Sequence, residues 1–130
     1  MELEIDVTSA EAVYEQIVRQ VEHAVRQGTL VPGMALPSIR QLADDLDLNH
    51  NTVAKAYKLL EHSRVIQTAG RKGTFISADA ARHVAQRVAR DASHLLQDVV
   101  RQLAAEGLAA AQITTAFEQV LAAQFHHEGK

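Results

Sequence analysis

The sequence predicts a mainly α-helical protein carrying one small β-hairpin. Three observations point there. Apolar residues recur at every third or fourth position along most of the 130 residues. Aromatic residues are only 4% where hydrophobic residues are 47%, so the core must be built of Leu, Val, Ile and Ala, the usual material of packed helices. Between residues 65 and 77 the helical spacing gives way to two short β-type runs around a glycine-bracketed turn.

Taken in order, Leu3, Ile5 and Val7 alternate with Glu2, Glu4 and Asp6, the pattern of an extended arm with one buried side. Thr8-x-x-Glu11 fits a capping box and is expected to open the first helix. In that helix Val13, Ile17, Val21 and Val25 share a face, and Gly28 ends it. Pro32-Gly33 is a turn dipeptide that marks a connection. Ser38 can cap a helix with Ile39, Leu42, Ala43 and Leu46 on its inner side, which must stop near Asp47. Asn49 can cap the next, whose buried stripe is Val53, Ala56, Tyr57 and Leu60. Two short helices around so brief a turn suggest a helix-turn-helix, in which the second helix lies in the major groove of DNA. Residues 65–68 and 74–77 then form the hairpin, with Arg71 and Lys72 at its tip and Gly73 letting the backbone turn. A cationic hairpin directly after a recognition helix reads as a wing.

From Asp79 the pattern is uninterrupted helix. Val84, Val88, Ala92, Leu95, Val99 and Leu103 form a seam that Glu106-Gly107 breaks, and Ile113, Phe117, Val120 and Leu121 mark one face of a second helix from about Ala109. The pair spans roughly 45 residues, too few for a core of its own. It is therefore expected to pack against its copy in a second chain, which supplies the symmetry a palindromic site requires. The expected architecture is mainly α with a small β-wing: a winged helix-turn-helix over residues 1–78 and a helical dimerisation region over 79–130.

Composition excludes several classes. With no cysteine there is neither a disulfide framework nor a thiolate metal site. No apolar run reaches the roughly 20 residues needed to span a bilayer, and the acidic start is unlike a signal peptide, so a cytoplasmic protein is expected. Formal net charge is -3, which alone argues against nucleic acid. Its distribution argues for it: between Asn49 and Ile76 five cations, Lys55, Lys58, Arg64, Arg71 and Lys72, face one carboxylate, Glu61. Enzymatic signatures are missing, with no phosphate-cradling loop after a strand and no evident carboxylate pair. No cofactor is expected. The 7 histidines raise a metal site, yet His83 and His94 are eleven apart, roughly 16 Å along a helix, and His126-His127-Glu128 is a terminal cluster; no metal site is expected.

The residues also carry a family pattern. Leu-Pro-Ser-x-Arg-x-Leu-Ala at 36–43, Asn-x-Asn-Thr-Val-x-Lys-Ala-Tyr-x-x-Leu-Glu at 49–61 and Gly-Arg-Lys-Gly-Thr-Phe at 70–75 appear in order, after Tyr14-Glu15-Gln16-Ile17 and Pro32-Gly33. Over roughly residues 13–76 the chain resembles the GntR family of bacterial transcription regulators, and its short tail resembles the YtrA subfamily, whose members commonly repress operons for ABC transporters. The resemblance implies a homodimeric, sequence-specific repressor of a palindromic operator in double-stranded DNA. The alternative is a non-specific architectural DNA-binding protein, which its acidic charge disfavours. DNA contacts are expected at Ser38, Arg40, Asn49, His50, Asn51, Thr52, Lys55, Lys58, Arg71, Lys72 and Gly73. Arg40 has a competing role as ion-pair partner of Asp44, four residues on. Asn49 and Thr52 can equally be helix caps or supports, and the two lysines can be a solvated face. Many family members carry Arg at the position of His50; a neutral His cannot grip guanine bidentately, so the base read there does not carry over, whereas Asn51 can pair with adenine. Dimer contacts are expected at Val88, Leu95, Val99, Leu103, Ile113, Phe117, Val120 and Leu121.

Overall fold

The structure is a computed structural model that describes residues 1–126. Five helices and a small antiparallel sheet follow in the order α1 (Val13–Gln27), β1 (Ala35–Leu36), α2 (Ile39–Leu46), α3 (His50–His62), β2 (Ile66–Thr68), β3 (Thr74–Ile76), α4 (Ala80–Ala105) and α5 (Ala110–Gln124). The chain divides into two compact units, residues 1–88 and 89–130.

In the first unit, α1, α2 and α3 contribute Ile17, Val21, Val25, Leu42, Ala43, Val53, Ala56, Tyr57 and Leu60 to one core, joined by Leu36, Val65, Ile66 and Ile76 from the sheet region. Each buried Val, Leu or Ile among them contributes about 1.5–3 kcal/mol by leaving water. Ile39, expected inside, stands exposed on the first turn of α2. The core extends to Ala80 and Val84 at the start of α4, with Val88 half-buried against it. One ion pair reinforces this packing: Glu22 of α1 is 4% exposed and receives two hydrogen bonds from the Arg87 guanidinium of α4, Nε to Oε2 at 2.8 Å and Nη2 to Oε1. A carboxylate so buried requires its cation, because an unpaired charge there costs several kcal/mol.

The arm and the start of α1 differ from expectation. Leu3 and Ile5 pack on the core, but Val7 is 73% exposed. The arm is held instead by two glutamine amides acting as a strand partner: Gln20 exchanges hydrogen bonds with the Glu4 backbone (2.9 and 2.7 Å) and Gln16 with that of Asp6 (2.9 and 2.8 Å). Thr8 and Glu11 do not cap α1. Asp6 accepts from the Thr8 hydroxyl and amide, which hold its carboxyl below the usual range; Ser9 accepts from the Glu11 amide; and Arg19 clasps the Glu11 carboxylate. These local turns consume the capping groups. The helix starts four residues later, where Glu15 accepts from the Ala12 amide at 3.2 Å. Gly28 ends it at φ 81.

The sheet has one strand more than the expected hairpin. β3 is central, paired antiparallel with β2 (Ile66 opposite Ile76, Thr68 opposite Thr74) and with β1 (Ala35 opposite Phe75, Leu36 opposite Thr74). In the second unit Gly107, at φ 99, separates α4 from α5, and Ile113 is the single buried large apolar residue among those described. Leu95, Leu96, Val100, Val120, Leu121 and Phe125 are exposed.

Candidate nucleic-acid interface

The candidate surface is built from the α2-turn-α3 segment and the hairpin that follows. Ser38 caps α2 reciprocally: its Oγ accepts from the Gln41 amide and the Gln41 Oε1 accepts from the Ser38 amide, both at 3.1 Å. Asp47 closes α2 in the left-handed conformation, φ 56. Asn49 then caps α3, its Oδ1 accepting from the Asn51 amide at 2.7 Å and its carbonyl from the Thr52 amide at 3.0 Å. The caps keep both helices short and the turn tight. Across that turn, the Tyr57 hydroxyl donates to the Pro37 carbonyl at 2.7 Å. Burial pushes this phenol up to about 12.

The expected contact residues have distinct settings. Arg40 is exposed, and among the described residues no carboxylate pairs with it. Asp44, its competing partner, turns to His50 instead, with Nε2 3.3 Å from Oδ1. His50 and Asn51 are exposed on the first turn of α3, and Thr52 is half-buried. Lys58 is exposed, whereas Lys55 holds its Nζ 4.0 Å from the centroid of the Tyr14 ring on α1, a cation–π contact. Tyr57 is core, 5% exposed.

The wing tip is a single 3₁₀ turn, Gly70–Lys72, which leaves Arg71 and Lys72 exposed. The Ala69 amide donates to the Gly73 carbonyl at 2.8 Å and closes the hairpin. Gly73 has φ 109, a conformation that side-chain-bearing residues rarely adopt. Of the residues expected at a dimer contact, Leu95, Val120 and Leu121 are exposed, Val99, Leu103 and Phe117 half-buried, Ile113 buried, and Val88 packed on the core of the first unit. Leu96, Val100 and Phe125 are exposed as well; Leu96 and Val100 lie beside the seam rather than on it, whereas Phe125, four residues past Leu121, continues the face of α5. Among the described residues no three His, Asp or Glu side chains gather to hold a metal ion; His127 and Glu128 lie outside them. Nor is any helix there long and apolar enough to cross a membrane.

A capped helix-turn-helix followed by a cationic hairpin defines a winged helix-turn-helix protein of the DNA-binding class. Residues 13–76 match the model of the gntR family of bacterial regulatory proteins. The chain is 40% identical to the HTH-type transcriptional regulator Rv1152 of Mycobacterium tuberculosis, over 78% of this chain and 90% of that one. With the HTH-type transcriptional repressor YtrA of Bacillus subtilis it shares 44% identity over 60% of each chain. Among solved structures, a transcriptional regulator from Oenococcus oeni superposes with a TM-score of 0.68 at 34% identity, covering 90% of this chain and 97% of that one. The chain belongs to the gntR family, in its YtrA-like branch, and is a DNA-binding transcription regulator rather than an enzyme.

Proposed function

We propose that this regulator is a homodimeric repressor that occupies a palindromic operator and so blocks transcription of an operon, such as one for an ABC transporter. Residues 1–78 bind DNA in this reading, and 79–130 hold the two copies together. The observation that carries it is the imbalance of the second unit, where six large apolar side chains are exposed and one is buried among the described residues. One buried isoleucine, with Val99, Leu103, Leu108 and Phe117 half-buried, contributes on the order of 6 kcal/mol, far too little to order two helices. A second copy offers the same apolar residues in self-complementary form. Repression and the transporter operon follow from the YtrA-like resemblance. Base reading is assigned to His50 and Asn51, and backbone contacts to Ser38, Arg40, Asn49, Thr52, Lys55, Lys58, Arg71, Lys72 and Gly73.

The test is selection of bound duplexes from a random pool by the wild type, Arg40→Ala and Asn51→Ala. The expected result is a palindrome of two half-sites about ten base pairs apart, centre to centre, weakened by both substitutions. Equal retention of all sequences, unchanged by either substitution, would establish architectural binding instead.

A further inference from the structure

At the head of the recognition helix, Asp44 and His50 form a contact that changes what this surface offers to a base. His50 Nε2 lies 3.3 Å from Asp44 Oδ1, and both side chains are more than half exposed, at 52% and 68%. An ionised carboxylate only accepts hydrogen bonds, so the ring nitrogen facing it carries the proton. In a neutral imidazole the other nitrogen, Nδ1, is then a lone-pair acceptor. Among the described residues, Nδ1 and Asp44 Oδ2 have no further partner. An arginine at position 50 would present only donors; a neutral His50 ring paired with Asp44 presents only acceptors.

Base edges in the major groove respond oppositely to the two. Guanine offers the O6 and N7 acceptors that an arginine grips, whereas the exocyclic amino groups of cytosine N4 and adenine N6 are donors. We propose that Asp44 is a specificity-determining positioning residue. By accepting a hydrogen bond from His50 Nε2–H it fixes the tautomer and ring orientation that leave Nδ1 an acceptor at this point of the recognition helix, which selects an exocyclic amino group and rejects the O6/N7 edge of guanine. This rests on the reading of His50 as a base contact.

The experiment uses the full chain and the selected duplex. His50→Ala first identifies the base pair whose preference depends on residue 50. In that pair, the amino group is deleted by placing purine for adenine or 2-pyrimidinone for cytosine, and separately the N7 acceptor is deleted with a 7-deazapurine. For the wild type, amino deletion is expected to weaken binding on the order of tenfold and N7 deletion to leave it unchanged. Asp44→Ala, an exposed helix position that favours alanine, is expected to lose the amino dependence, and Asp44→Glu to keep it. A wild type sensitive to N7 and indifferent to the amino group would overturn the proposal, as would an Asp44→Ala protein that keeps the amino dependence and shifts only in overall affinity. If His50→Ala alters no base preference, residue 50 is not a base contact and the proposal falls with it, while the palindrome read by the rest of the surface stands.

Discussion

Tyr57 illustrates how one side chain ties the reading surface to the core. Its ring is buried between Val53 and Leu60 in the α3 stripe, and its hydroxyl reaches the carbonyl of Pro37, at the entry to α2. Tyr57→Phe keeps the ring but leaves that carbonyl without its donor, so a loss of about 1 kcal/mol in denaturant unfolding at neutral pH is expected. Alkali adds a second signature. Burial raises the folded-state phenol to about 12 against an ordinary value of 10. The folded protein therefore holds this proton more tightly than the unfolded chain does. The stability this gives is complete below pH 10 and is lost as pH rises from 10 towards 12, reaching about 2–3 kcal/mol. Unfolding measured across that range should show the decline in the wild type and a smaller one in Tyr57→Phe; equal slopes would mean that the phenol is not the responsible group.

Among the elements, the wing has the most separable part in the proposed DNA binding. Arg71 and Lys72 stand exposed on a 3₁₀ turn closed by Ala69 and Gly73, so removing either charge leaves the hairpin's backbone bonds intact. Each cation set on a phosphate contributes about 0.9 to the slope of log affinity against log salt. Arg71→Ala and Lys72→Ala should each reduce that slope by about one without altering the preferred palindrome, as binding titrations between 50 and 200 mM salt would reveal. An unchanged slope would place the wing away from DNA. The elements that could be read from sequence are those whose signals are local. Ser38 and Asn49 act within three residues of themselves, and α2 and α3 begin where those caps predict. The start of α1 departs from the sequence pattern because Thr8 and Glu11 carry the right chemistry but use it in turns and on Arg19, eight residues past Glu11. β1 has two residues, and its strand character comes wholly from pairing with Thr74 and Phe75, some forty positions away. Distance in sequence also hid the pairs Asp44–His50, Tyr14–Lys55 and Glu22–Arg87, for which no spacing rule exists.

At the scale of the whole molecule, a net charge of -3 limits what one DNA-binding unit can achieve. Non-specific affinity comes from phosphate neutralisation, and a few cations set against an acidic chain supply little of it. Two units joined as proposed would overcome this without any new contact, because after the first half-site is bound the second binding event is intramolecular. Such linkage raises affinity 10²–10⁴-fold. The exposed residues Leu95 and Leu121 are the places to break it, since they lie in the second unit and contribute nothing to the core of residues 1–88. Leu95→Asp and Leu121→Asp bury a charge in any apolar joint formed there, at a cost of several kcal/mol. The wild type is expected to sediment as a dimer at micromolar concentration and each variant as a monomer. Both variants should bind a single half-site as the wild type does and lose at least a hundredfold on the full palindrome. Variants that remain dimeric would put the joint on another surface; monomeric variants with undiminished palindrome binding would show that the DNA itself, rather than the helical tail, brings the two copies together.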